Sequence, residues 1–339
     1  MIPELNREYP ELDDQKAFEQ MVSLTVGQMK PIDGLLRRGQ HAKATGCVTA
    51  EFRIVEDVPS DLRHGIFREH GRTFIAIVRF SNSQGTFEKD SVGTARGLAI
   101  KLLDVVGTRA IADDDTTQDF LMIDHPVFPF PNPEAYVETM SRKNIPLVGD
   151  LVAGAHMALL APKELEIVKA IKGQHTVSPL TRKYWSGAPF WLGHAVGGEG
   201  HAVKYSAVPR RADPTALPAP AAGLTDDYLS EALARDVREQ EAVFDFKVQL
   251  QVDPVAMPVE DVSIEWYEDN RQPIHSTPIT VATVRIKPQE VDGAGEFAKQ
   301  CEAMSFNPWH ALAEHRPMGG MNRLRRIVYQ ASTGKRSIS

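Results

Sequence analysis

Asn322-Arg-Leu-Arg-Arg-Ile-Val-Tyr329-Gln-Ala-Ser-Thr-Gly-Lys-Arg336 stands near the C-terminus of this 339-residue chain. Read as a helix, it stacks Arg325, Tyr329 and Arg336 along one face. Side chains four residues apart lie roughly 6 Å from each other, so Arg325 can hold a charge-assisted hydrogen bond to the Tyr329 oxygen and favour its deprotonated form. A buried phenolate flanked by arginines suits a hard Fe(III) centre. The same spacing occurs in many ordinary helices, so its meaning depends on what the rest of the chain brings to it.

The chain is 42% hydrophobic and 24% charged, ordinary for a globular protein, and long enough to enclose a large cofactor. Net charge is −7 and the charged residues are scattered, which leaves no basic face for nucleic acid. The N-terminus, from Met1 to Pro10, lacks the basic start and apolar stretch of a secretory signal. The longest mostly apolar run, Leu147 to Ala161, contains Asp150 and His156 and falls short of the ~20 residues a membrane span needs. A cytoplasmic protein acting on a small molecule is expected. Cys47 and Cys301, far apart in sequence, read as buried thiols.

Phe18, Met21, Val22 and Val26 at helical spacing mark an N-terminal helical arm, residues 1–40, ending near Pro31. Short alternating or apolar runs follow: Cys47 to Val55, Thr73 to Phe80, Gly97 to Leu103, Asp119 to Ile123, Phe244 to Val252 and Ile279 to Ile286. Helical stretches fall at Pro133 to Arg142, Pro162 to Lys172 and Thr225 to Glu239, the last with Thr225 or Asp226 as N-cap. Val208 to Gly223, dense in proline and alanine, reads as an extended connector. Strands dominate the middle and helices the ends. The fold class is therefore α+β with a closed or nearly closed antiparallel barrel, residues 41–339 forming one domain with the arm.

His41, in Arg37-Arg38-Gly-Gln-His41-Ala-Lys43, lies where the arm gives way to the first strand, a junction that can aim a side chain into a cavity. At this point several segments resemble one family, the haem catalases and their shorter catalase-related relatives. Arg38, His41, Ala42 and Lys43 match a catalase run, with Ala44 in place of its glycine. Arg79-Phe80-Ser81, Arg96-Gly-Leu-Ala-Ile-Lys101 and Asp119 to Phe128 follow in the same order, then Phe306-Asn-Pro-Trp309 and the tyrosine helix.

The resemblance implies haem b as cofactor, with Tyr329 as the proximal iron ligand and Arg325 as its charge partner. It implies that Arg38, Arg79 and Arg336 pair with the haem propionates, which suits the fork geometry of guanidinium. His41 would shuttle a proton between the peroxide oxygens, giving a ferryl haem and water, while Ser81 holds the other imidazole nitrogen. Expected partners are hydrogen peroxide or an organic hydroperoxide and a small organic reductant, in a dimer or tetramer.

The departures matter as well. Asp124 stands where catalases carry a distal asparagine, and an ionised aspartate cannot donate to bound peroxide; it would serve as a catalytic group only if protonated or as a second acid–base residue. Gly93-Thr94-Ala95 stands where catalases carry a channel element that includes an acidic residue, so that acidic residue is absent here, and the chain stops at Ser339 soon after the tyrosine helix. A more open pocket and peroxidase chemistry with weak dismutation are expected. The alternatives are rearrangement of a fatty-acid hydroperoxide to an allene oxide, or haem binding and sensing without catalysis.

Other candidates read as structural. Gly193 to Gly200 does not spell a dinucleotide fingerprint, Asp113-Asp114-Asp115 reads as a solvated loop, and His194 and His201 lack a third ligand at metal spacing. Asp261 and Glu265 form a strand-like acidic patch without assignable chemistry.

Overall fold

Side chains that alternate between two environments along successive strands close a barrel in the computed structural model, which describes residues 3–10, 14–32, 34–112, 116–146, 148–211 and 224–338. Helix α1 (Asp14–Gln28) leads through a small hairpin, β1 (Pro31–Ile32) and β2 (Leu35–Leu36), into β3 (Ala44–Ile54), β4 (Thr73–Asn82), β5 (Arg96–Leu102) and β6 (Gln118–Ile123). Helices α2 (Pro133–Lys143), α3 (Gly149–Leu160) and α4 (Pro162–Lys172) come next, then β7 (Tyr184–Trp185), β8 (Phe190–Gly193) and β9 (Gly200–Pro209). The chain continues through α5 (Tyr228–Glu239), β10 (Ala242–Leu250), β11 (Ile279–Ile286), α6 (Glu296–Ala303) and α7 (Gly320–Ile338).

The antiparallel order β10-β11-β3-β4-β5-β6-β7-β9 returns to β10, so eight strands form a ring, and β8 branches from β9 as a hairpin. Register sets the interior. Phe52 faces Phe74, Phe80 faces Leu98, and Ile100 faces Phe120 across neighbouring strands, and all are buried. Phe120 and Phe246 meet at 4.7 Å between ring centroids, Phe52 and Phe246 at 5.0 Å. The barrel interior is thus packed with side chains of the core. Truncating one such phenylalanine removes about 3–5 kcal/mol.

A second apolar cluster joins the helices. Ala17, Phe18 and Met21 of α1 pack with Val137 of α2 and with Met321, Leu324 and Val328 of α7. The start of α7 is held by two carboxylates, Glu8 accepting from Gly319 N and Glu260 from Gly320 N, both at 2.7 Å, where the helix dipole favours negative charge. Among the described residues no helix is long and apolar enough to cross a membrane.

Several details differ from the reading of the sequence. Cys47 and Cys301 are not separate thiols: they form a disulfide, Cα–Cα 6.6 Å, across 254 residues, because α6 returns to pack on β3. Helix α5 begins at Tyr228 with Asp227 as N-cap. Asp261 lies in a turn, its Oδ1 accepting from Ser263 N at 2.9 Å, and no strand forms there. Gly193 and Gly200 pair at the end of the β8–β9 hairpin, and His194 belongs to its turn. Asp113 to Asp115 and most of the Val208 to Gly223 connector lie outside the described residues.

Candidate functional site

The outward face of β4, β5 and β6 forms one wall of the site. Along β4, Val78 and Phe80 point into the barrel core while Arg79 and Ser81 line a cavity outside it. Gly97 and Ala99 of β5 and Leu121 and Ile123 of β6 continue that wall. The opposite wall is one face of α7, where Met321, Leu324, Arg325, Val328, Tyr329, Ser332 and Arg336 recur at helical spacing. The cavity measures about 470 Å³, within the ~300–1,000 Å³ typical of ligand pockets. It extends past Met157 of α3 and Leu165, Val168 and Ile171 of α4, with Asp150, Lys169 and Lys172 of the same helices also lining it, an annex that the sequence does not announce.

His41 sits at the edge of the strand wall. Its backbone takes φ +54°, in the left-handed region that non-glycine residues seldom occupy, and its carbonyl accepts from Arg79 Nη2 at 2.9 Å. Nδ1 lies 2.9 Å from Ser81 Oγ. Burial first, then the charges of Arg79, Arg325 and Arg38, push the imidazole pKa down to about 3. His41 is therefore neutral near pH 7. In the tautomer in which Ser81 Oγ accepts from Nδ1–H, the lone pair is on Nε2.

On α7 the arrangement departs from the simple helix pair. Arg325 places its guanidinium over the Tyr329 ring, 5.5 Å from the centroid, and donates from Nη1 to Asn322 Oδ1 at 3.1 Å. It thus faces the ring's π-system and keeps a positive charge beside the phenol. Tyr136 of α2 also lines the cavity. Burial, then the neighbouring Tyr329, drive its phenol above the usual range.

Arg38, Arg79 and Arg336 meet at the end of α6. Arg38 Nη1 donates to Glu302 Oε1, and its Nη2 to the carbonyls of Cys301 at 3.2 Å and Met304 at 2.6 Å. Arg79 Nη2 lies 3.3 Å from Glu302 Oε2, and Arg336 Nη1 donates to the Glu302 carbonyl at 2.9 Å. The arginines hold the Glu302 carboxyl below the ordinary carboxylate range despite its burial. Nothing local in the sequence marks Glu302, because the side-chain partners Arg38 and Arg79 of its carboxylate lie more than 200 residues away.

Asp124 does not join the site. Its carboxylate turns into the wall, where Oδ1 accepts from Arg96 N at 2.7 Å and Oδ2 faces Arg182 Nε at 3.4 Å. It does not line the cavity, whereas its neighbour Ile123 does. Burial raises its carboxyl pKa. The carboxylate braces the start of β5 and faces away from the cavity in which a catalytic role was expected of it. The other expected site residues, Arg38, His41, Arg79, Ser81, Arg325, Tyr329 and Arg336, all line the one cavity.

These residues fit a haem. Among the described contacts Arg38 and Arg79 share one carboxylate, that of Glu302, Arg336 stands beside them on the Glu302 carbonyl, and Arg79 Nε is buried with no hydrogen-bond partner. That cluster suits a ligand with two carboxylates. A phenol on one wall and a neutral histidine on the other bracket the space between.

No protein-family model matches the chain. A catalase-related peroxidase of Mycolicibacterium paratuberculosis is 26% identical over 273 residues, 79% of each chain. Among solved structures, a fungal catalase superposes with TM-score 0.65 at 17% identity over 98% of this chain. A bacterial catalase gives 0.67 at 18% over 99%, and catalase A of Saccharomyces cerevisiae 0.66 at 16% over 100%. The chain spans 63%, 63% and 66% of those three catalase chains, respectively. Its barrel and surrounding helices are the catalase fold.

Proposed function

We propose that this member of the catalase superfamily is a haem-dependent peroxidase that reduces hydrogen peroxide or an organic hydroperoxide at the expense of a small organic reductant. The convergence of Tyr329, the His41–Ser81 pair and the three-arginine cluster on one cavity carries this reading. Tyr329 would ligate iron, with Arg325 over its ring stabilising the phenolate, and Arg38, Arg79 and Arg336 would take the propionates. Bound haem would supply the electrons that cleave the O–O bond.

The chain's own residues manage the proton. Neutral His41 accepts it at Nε2 from the peroxide oxygen and returns it to the departing oxygen, which leaves as water or an alcohol. Ser81 fixes the ring's rotation through Nδ1. The transient imidazolium is held close to Arg79, Arg325 and Arg38, whose charges expel the proton again. The annex, apolar at Met157, Leu165 and Val168 and charged at Asp150, Lys169 and Lys172, offers room for an organic hydroperoxide as well as hydrogen peroxide.

Reconstituting the protein with haem and recording its absorption tests the reading. The expected result is a stoichiometric Soret band of five-coordinate ferric character that Tyr329→Phe alters, and hydroperoxide-dependent donor oxidation that His41→Ala slows by about 10²–10⁴. A Soret band indifferent to Tyr329→Phe would remove the proposed ligand.

A further inference from the structure

Behind the arginines that line the cavity, the C-terminal end of α6 and the following Met304 present four acceptors from three residues: the carbonyls of Cys301, Glu302 and Met304 and the carboxylate of Glu302. Arg37 adds a fourth guanidinium, 3.9 Å from Glu302. Four like charges so close repel one another, and the Glu302 carboxylate pairs with three of them, Arg37, Arg38 and Arg79. The residue preceding it is covalently tied to the barrel. Cys47, the partner of Cys301, stands on β3 opposite Arg79 in the strand register. One short helix therefore carries both the counter-charge of the arginine cluster and the bond that fixes it to the strand wall.

We propose that Glu302 is the positioning residue of the carboxylate-binding cluster and that the Cys47–Cys301 disulfide is a redox lock that keeps it in place. With the lock closed, Arg38 and Arg79 are pre-set for a dicarboxylate ligand, and less ordering remains to be done on binding. With the lock open, α6 keeps its apolar contacts with Ile77, Phe306 and their neighbours and its polar contacts with the arginines but loses its covalent tie to β3, so Glu302 can withdraw and the guanidiniums separate. The ligand's carboxylates are then held less well. Closure removes two electrons and two protons from the thiols; a hydroperoxide, ROOH, accepts them to give ROH and water. Opening returns two electrons and two protons from a dithiol, which leaves as its own disulfide. The substrate class proposed for the cavity would thus set the lock that retains the cofactor.

This inference rests on the haem reading for its ligand, but its test has an arm that does not. In the first arm, haem transfer from the full-length holoprotein to an excess of a haem-scavenging apoprotein is timed with the pair oxidised and, after thiol titration verifies opening, reduced. Reduction is expected to speed release several-fold. Glu302→Gln, which retains both cysteines, is expected to speed it without reduction and to respond little to further reduction. In the second arm, amide exchange over residues 296–304 of the haem-free protein is expected to accelerate on reduction. Equal release rates in both redox states, or a reduction effect undiminished in Glu302→Gln, would overturn the proposal. Unchanged exchange in α6 would overturn the lock whether or not haem binds. Failure to load haem with exchange still redox-dependent would instead count against the haem reading while upholding the lock.

Discussion

Gly97 lies against the His41 ring: a Cβ built on it stands 2.5 Å from His41 Nδ1 and 2.6 Å from Cε1, and 2.7 Å from Ser81 Oγ. No side chain of any kind fits there while His41 keeps its hydrogen bond. The left-handed backbone of His41, the serine on β4 and the glycine on β5 are three contributions from separate segments to one ring position.

Gly97→Ala is therefore expected to displace the imidazole without dismantling the strand, since alanine in a β-strand is less costly to order than glycine. Hydroperoxide-dependent turnover should fall by about 10²-fold or more, the scale of lost acid–base assistance, while the melting temperature moves little. Parallel kinetics and thermal denaturation check this. A full-activity variant would show that the ring does not need its observed place.

The pH response should be that of a histidine kept neutral. His41 and His315 both have folded pKa values pushed down to about 3, chiefly by burial, against about 6.5 in the unfolded chain. Between those values the unfolded state binds more protons, so stability rises with pH from about 3 to 6.5 and then levels off. Urea midpoints measured from pH 4 to 8 should follow this course, with a shallower slope in His41→Gln. Turnover should show no inflection near pH 6.5 attributable to His41.

Asp124→Asn should leave hydroperoxide turnover unchanged, because the carboxylate faces Arg96 N and Arg182 away from the cavity. Its loss should appear as stability, about 1–3 kcal/mol by denaturant titration, the scale of a weakened charged hydrogen bond. A large kinetic defect with normal stability would return Asp124 to the chemistry.

Much of this architecture was legible in the residues. The alternation in Thr73 to Phe80 and Gly97 to Leu103 gave β4 and β5, and Pro162 to Lys172 coincides with α4. The arginine–tyrosine spacing and the His41 segment named the two walls of the cavity before their meeting was visible. β9 was not legible, because Ala202 to Ala207 is buried on both faces and includes Lys204 and Ser206, which break the apolar run. Glu302, the disulfide and the annex of α3 and α4 are tertiary facts: each depends on segments that only the closed barrel brings together. The orientation of Asp124 is tertiary as well: its place in the sequence does not show that its carboxylate faces Arg96 and Arg182.

The barrel wall is a partition one residue thick. Phe80 and Ser81 are adjacent in the chain, yet one fills the cylinder and the other touches His41. Stepping alanine along β4 should make the phenotype oscillate with a period of two residues. Val78 and Phe80 would report as melting temperature, Arg79 and Ser81 as haem retention or turnover, and the two kinds of damage could be inherited, or repaired, independently of each other.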